Sequence, residues 1–277
     1  MSNTFWTALS ATATAAAFVV VAWQSFLTRR AVVTAQRALA TADRALVASQ
    51  AVALDAARAR LDGQAPAVSV RVHEVPWPPY AWTPSGMPVG HWPTGYEWHF
   101  PAKQDERIVL QAGIRVQNHG RAHLTLDFQG DLYFSSDHRP RAATSNLLFP
   151  EQSISLFLQK DFTIKELSEN YEARQAGRPL PHRVTGTIAA HDDRDNGVTD
   201  TWDIELTGCP VRPVEDREGL WVVADGGPAD DPGSDSLEYA VQPPRRRTYW
   251  ISRQDGKQLP EPTFTIDVLG EPPAVGS

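Results

Sequence analysis

The 277-residue sequence holds a single cysteine, Cys209, so no internal disulfide can form. That fits a reducing compartment. Lysine is nearly as scarce, at four residues against 22 arginines. Residues 1–28 carry no charged side chain at all. No P-loop, GxGxxG, GxSxG or CxxC pair occurs, which removes the commonest nucleotide, hydrolase and redox signatures. No enzyme, cofactor or metal is expected from these absences.

The net charge of −7 conceals an asymmetry. Residues 1–62 sum to +3 and the remainder to −10. An acidic bulk excludes nucleic acid as the main partner, because the phosphate backbone requires a basic face. The basic groups instead follow an apolar run.

That run extends from Phe5 to Leu27, 23 residues rich in Ala, Val and aromatics. About 20 helical residues span the hydrocarbon core. Trp6 and Trp23 stand roughly 26 Å apart on a helix, one near each interface. A cleaved signal peptide would carry its basic residues before the apolar run. Here Arg29, Arg30, Arg37 and Arg44 follow it instead, so residues 1–28 read as a retained anchor in the lipid bilayer. Basic flanks stay in the cytoplasm, which puts the N-terminus outside and the rest of the chain inside the cell membrane.

Residues 29–63 contain no proline and no internal glycine before Gly63. Ala, Leu, Arg and Gln predict a juxtamembrane helix. Val32, Leu39 and Leu46 recur every seven residues, with Ala35, Ala42 and Ser49 at the three-residue offset. This a/d stripe predicts a homo-oligomer seam over residues 29–61. The competing expectation is a lone helix packed on its own domain or lying in the membrane surface.

After Pro66 the period changes from seven to two. Alternation in "VSVRV", "RIVLQAGIRV", "LTLDFQGDLYF", "SISLFL", "TWDIEL" and "TFTIDVL" predicts half-buried antiparallel strands. Shorter strands are expected near 184–190, 220–224 and 246–252, and turns at 118–120 and 193–197. Residues 64–277 are therefore predicted to be a mainly β domain, an antiparallel β-sandwich with one inserted helix. Thr163 and Glu166 form a capping box for that helix, and Gly177 ends it. Residues 224–236 read as an acidic loop.

The stretch "PWPPYAWTPSGMPVGHWPTGYEWHFP" (76–101) packs four Trp, two Tyr and seven Pro into 26 residues. Trp and Tyr are enriched at binding hot spots. Trp77, Tyr80, Trp82, Trp92 and Tyr96 are the candidate partner-binding residues, with Trp82 and Trp92 expected to be the more exposed and Trp98 core. The competing expectation is a structural flap over an edge of the sandwich.

Other motifs carry less. "HDDRDNG" (191–197) lacks a ligand at the third position of an EF-hand loop, which is Arg194. His119 and His123 lie across a turn without the HExxH glutamate. "RRR" (245–247) is expected to pair with the acidic loop or to face anionic lipid. The segments "FVVVAWQSFLTRR" and "QRALATADRALVASQAVALDAARARLD" make the chain resemble single-pass membrane proteins of high-GC bacteria, with an N-terminal span, an Ala/Arg-rich helix and a β domain. That resemblance implies an architecture and no activity. The expected function is a non-enzymatic adaptor holding a cytoplasmic β-sandwich at the membrane for a protein partner. The alternative is an extracytoplasmic ligand-binding or sensory domain.

The seam can be tested directly. Leu39→Asp combined with Leu46→Asp places unpaired carboxylates in the stripe, each costing several kcal/mol if buried, about 2–7 on the scale for buried polar groups. Light scattering of the detergent-solubilised protein should show the oligomer dissociating to monomer. An unchanged mass, or a monomeric wild type, removes the seam.

Overall fold

The computed structural model describes residues 3–82, 88–93, 95–135, 141–227 and 236–261, apart from the side chains at 3–13, 15, 82, 88 and 141. One helix, α1, runs unbroken over Asn3–Asp62. From Ala16 onward it is long and apolar enough to cross a membrane. Phe18, Val19, Val20, Val21, Trp23 and Phe26 are all exposed on it, as are the seam positions Val32, Leu39 and Leu46. Thr28, Thr34 and Thr41 return their hydroxyl protons to the carbonyls four residues earlier, which keeps these polar groups satisfied within the helix. The side chain of Trp6 lies outside the described residues.

Residues Arg60–Leu259 form a compact unit of their own. Its strands are numbered in chain order. The first sheet holds β1 (Val68–Glu74), β2 (Tyr80–Trp82), β3 (Pro88–His91), β5 (Arg107–Asn118), β7 (Leu132–Phe134), β8 (Arg141–Ala142) and β10 (Ser153–Thr163). Their order is β3-β2-β5-β10-β7-β8, with β1 also paired to β5. The second sheet holds β6 (Leu124–Gly130), β9 (Ser145–Leu148), β11 (Val184–His191), β12 (Gly197–Thr207), β15 (Glu238–Tyr239), β16 (Arg245–Ser252) and β17 (Lys257–Gln258). Its order is β17-β16-β12-β11-β6-β9, with β15 beside β12. A small third sheet joins β13 (Val211–Pro213), β14 (Leu220–Val223) and β4 (Trp98–His99). All pairings are antiparallel, and the fold is the mainly β, sandwich-like domain that the alternation predicts.

One core fills the space between the large sheets. Leu110, Ile114, Leu132, Leu156 and Leu158 from the first meet Leu126, Phe128, Ile188, Trp202 and Ile204 from the second. The inserted helix α2 (Ile164–Gln175) begins as expected. Glu166 N–H donates to Thr163 Oγ1 at 3.2 Å, and Thr163 N–H donates to Glu166 Oε2 at 2.7 Å. Burial pushes the Glu166 carboxyl up, but these bonds outweigh it and hold its pKa below the usual value. Ile164 and Leu167 are fully buried, and Gly177, at φ +65°, ends the helix.

Two expectations need correction. "LTLDFQGDLYF" is two strands: the chain turns at Gly130, with φ +86°, and crosses from the second sheet to the first. The alternation persists because both sheets face the same core. The Trp/Pro-rich stretch 76–101, whose composition reads as a long loop without secondary structure, holds three short strands among its described residues, β2, β3 and β4. The acidic loop lies outside the described residues over 228–235, and among the described residues the arginines of "RRR" pair with aspartates of β12. Arg245 and Arg247 meet Asp200 at 3.6 and 2.7 Å, and Arg246 meets Asp203 at 3.0 Å. The strand expected at "TFTIDVL" lies outside the described residues.

Asp200 is fully buried, and Arg247 grips both its oxygens through Nε and Nη2 at 2.7 Å each. Arg247 Nη1 also reaches Asp62 at 2.7 Å, to which the Tyr249 hydroxyl donates at 3.0 Å. Hydrogen bonding to Asp200 raises the Arg247 pKa above its ordinary value. Arg247→Ala would strand the Asp200 carboxylate, a loss of about 3 kcal/mol. A domain of this size should then melt roughly 6–12 °C lower by circular dichroism. A melt within a degree of wild type would mean that Arg245 has taken over the carboxylate.

Candidate binding surface

Short strands place the aromatic stretch against the sandwich. Tyr80 and Ala81 of β2 pair with Val109 and Ile108 of β5, and Trp98 of β4 pairs with Trp221 of β14. Trp92, Tyr96 and Trp98 interlock, with ring centroids 4.8, 5.1 and 5.5 Å apart. Trp98 is fully buried. Glu106, just before β5, binds this cluster: Trp98 Nε1 donates to it at 3.1 Å and the Tyr96 hydroxyl at 3.2 Å. Lys103 donates to the Tyr96 hydroxyl at 3.0 Å, and this bond raises the lysine's pKa. The Lys103 ammonium also lies 4.5 Å from the centre of the Tyr96 ring.

The five candidate residues therefore do not form one exposed patch. Trp92 and Tyr96 are half-buried and pack on the core, contrary to the exposure expected of Trp92. Its indole Nε1 is buried without an acceptor among the described residues. Tyr80 is half-buried under His91, with ring centroids 4.6 Å apart. Burial, and then the charge of Glu74, raise the Tyr80 pKa. The side chain of Trp82 lies outside the described residues.

Trp77 is different. Its half-buried ring lies on the backbone of Gly227, where an added Cβ would come within 2.2 Å of the indole. Beside it opens a groove of about 570 Å³. Trp77, Pro78 and Pro93 form one wall, and Val222 and Val223 of β14 another. Glu97, Arg212 and Asp225 supply charge, and each is paired: Arg217 Nη2 donates to Glu97 at 2.8 Å, and Arg212 meets Asp225. The volume is that of an ordinary ligand or side-chain site. Sequence reasoning reached Trp77 but missed the opposite wall, because β14 is more than 140 positions away in the chain. The "GG" at 226–227 was the one available signal, since glycine marks a close approach.

The other motifs remain apart. His123 pairs with Asp193 at 2.6 Å and His119 with the Ser69 hydroxyl at 2.8 Å. Asp195 of "HDDRDNG" accepts from the backbone N–H of Gln254, which lowers its pKa and ties the hairpin tip to the β16–β17 turn. Among the described residues no group of three or more His, Cys, Asp or Glu could hold a metal ion. Cys209 is buried.

Trp98 and Trp77 should respond differently to truncation. Trp98→Ala empties a packed site, at a cost of about 3–5 kcal/mol and a melting temperature lower by roughly 10 °C. Trp77→Ala should cost less stability but remove a groove wall, weakening any bound partner by about 2 kcal/mol. Gly227→Val retains every aromatic residue but displaces the Trp77 ring. If both groove variants keep the partner profile of wild type in a membrane pull-down, the groove is not a binding surface.

No protein-family model, no curated protein and no solved structure matches this chain.

Proposed function

We propose that the chain is a single-pass membrane protein whose β-sandwich lies in the cytoplasm and acts as a non-enzymatic adaptor, with the Trp77 groove receiving a protein partner. The observation that carries this reading is the exposed apolar face of α1 from Phe18 to Phe26, followed directly by Arg29 and Arg30. Six large apolar side chains left in water would oppose solubility, whereas in lipid they are at no cost. Trp23 stacks beside Phe26 near the arginines, where an indole favours the membrane interface. The arginine step that follows favours the cytoplasmic side for the rest of the chain.

The groove suits a side chain of a partner protein. Aromatic and proline walls offer area, and the carboxylate–guanidinium pairs at its rim confer orientation more than affinity. Exposed Val32, Leu39 and Leu46 leave the stripe open to a second copy of the chain, which would present two grooves together. The volume of the groove also suits a small ligand, and this keeps an extracytoplasmic sensory domain as the second reading.

Topology separates the two. A phosphatase fused after Ser277 should be inactive and a fluorescent reporter bright. Replacing Arg29, Arg30, Arg37 and Arg44 with glutamine, and inserting two lysines beside Asn3, should invert a measurable fraction of molecules. An active phosphatase on the wild-type chain would overturn the cytoplasmic assignment and favour the sensory reading.

A further inference from the structure

On the outer face of β1 and β5 two arginines stand opposite each other. The register pairs Arg71 directly with Arg115. Directly opposed residues hold their Cβ atoms about 5 Å apart, and like charges there destabilise a sheet. Both side chains are exposed, and neither has an ion pair or hydrogen bond among the described residues. Elsewhere in the domain the pattern is the reverse: Arg183, Arg217 and Arg247 each hold a carboxylate.

Among the described residues no carboxylate pairs with either arginine. One step along the strands Ser69 pairs with Gln117, and His119 Nε2 lies 2.8 Å from the Ser69 hydroxyl. On the other side of β5 the partners of Arg115 and Gln117 are Ser155 and Ser153. Glu74 pairs with Gly113 after a register shift in β1, beside His73; it is not among the residues that line the recess, and its charge acts on Tyr80. His73 completes the far end. It lies over Gly113, where a Cβ would approach its ring within 3.0 Å. Any other residue at 113 would push the imidazole away. Ser69, Arg71, His73, Arg115, Gln117 and His119 line one recess of about 360 Å³, with donors on every side.

We propose that this recess binds a phosphate-type dianion, either inorganic phosphate or a phosphate monoester. A guanidinium fork matches two phosphate oxygens, and two facing forks neutralise two charges. A monocarboxylate would leave one arginine uncompensated. The Ser69 hydroxyl, the Gln117 amide and the imidazoles of His73 and His119 supply the remaining donors. The site is independent of the Trp77 groove and of the side of the membrane on which the domain lies. A phosphomonoester lipid headgroup presents the same chemistry as a soluble phosphate, so the ligand's source is a separate arm of the test.

The full chain is reconstituted in zwitterionic nanodiscs and melted against rising sodium phosphate, with sodium chloride at matched ionic strength as the control. A ligand that binds only the folded state raises the melting temperature saturably. Phosphate should do so and chloride should not. Arg71→Gln and Arg115→Gln should each melt above wild type in phosphate-free buffer, because the repulsion is gone, and should bind phosphate at least about tenfold more weakly. Ser155→Asp places a carboxylate beside Arg115, so it should also stabilise the free protein and blunt the phosphate response. Nanodiscs containing phosphatidic acid, compared with phosphatidylglycerol at equal charge, identify the source: a melting rise with phosphatidic acid alone assigns a lipid headgroup, and its absence assigns a soluble phosphate. Equal responses to phosphate and chloride, or a full phosphate response in both glutamine variants, would overturn the proposal.

Discussion

The pairing of β5 with β10 is the constraint on which the domain depends. Eleven consecutive residue pairs, from Ser153 with Gln117 to Thr163 with Arg107, run without a shift. A slip of one residue would turn Leu110, Ile114, Leu156 and Leu158 out of the core together. β5 also carries β1 at one end of its free edge and β2 at the other, while β10 runs straight into the capping box of α2. The recess at Arg71 and Arg115 and the aromatic segment are thus held by the same strand. The first half of β5 is buried on both faces, Val109 and Gln111 included, as expected of a strand enclosed between layers.

This arrangement explains why so many tryptophans serve packing. Glu106 precedes β5 by one residue and accepts from both Tyr96 and Trp98. A buried indole with its N–H satisfied contributes its full apolar area without an unpaired donor. The cluster closes one end of the sandwich, where Trp221 stacks on Phe100 at 5.6 Å and meets Tyr171 edge-on at 5.8 Å. Trp77 stands outside this interlock, with the backbone of Gly227 beneath its half-buried ring and the groove beside it.

Much of the sandwich was legible in the sequence, because a period of two is a direct consequence of having one face in the core. The strands at 68–74, 107–118, 153–163, 184–191 and 197–207 follow from that period, and α2 follows from Thr163, Glu166 and Gly177. The crossing at Gly130 was not legible. Leu126, Phe128, Leu132 and Phe134 keep their alternation through it because both sheets share one interior. The partners of Arg245, Arg246 and Arg247 were missed for a related reason. Asp200 and Asp203 lie across a sheet register that no local pattern encodes. The pairing of Arg71 with Arg115 likewise needs β1 and β5 in register, so the recess they line was invisible along the chain.

Charge takes two forms in this protein, distinguished by range. The portion after residue 62 sums to −10, a field that opposes an extended polyanion such as nucleic acid. Salt screens such a field within about 8 Å at physiological ionic strength. A ligand in the Arg71–Arg115 recess meets two guanidiniums, and no carboxylate is among the residues that line it. The domain's net acidity and a local anion site are therefore compatible, and acidity selects for a small, compact dianion over a long one. The same reasoning separates the two arginine groups. Arg245 and Arg247 are bound to the buried carboxylate of Asp200, and Arg247 also to Asp62, so their charge is spent on holding the fold. Arg71 and Arg115 oppose each other across a ladder that would be more stable without one of them, and an unrelieved conflict of that kind in an otherwise consistent sheet is where a binding function is expected to reside.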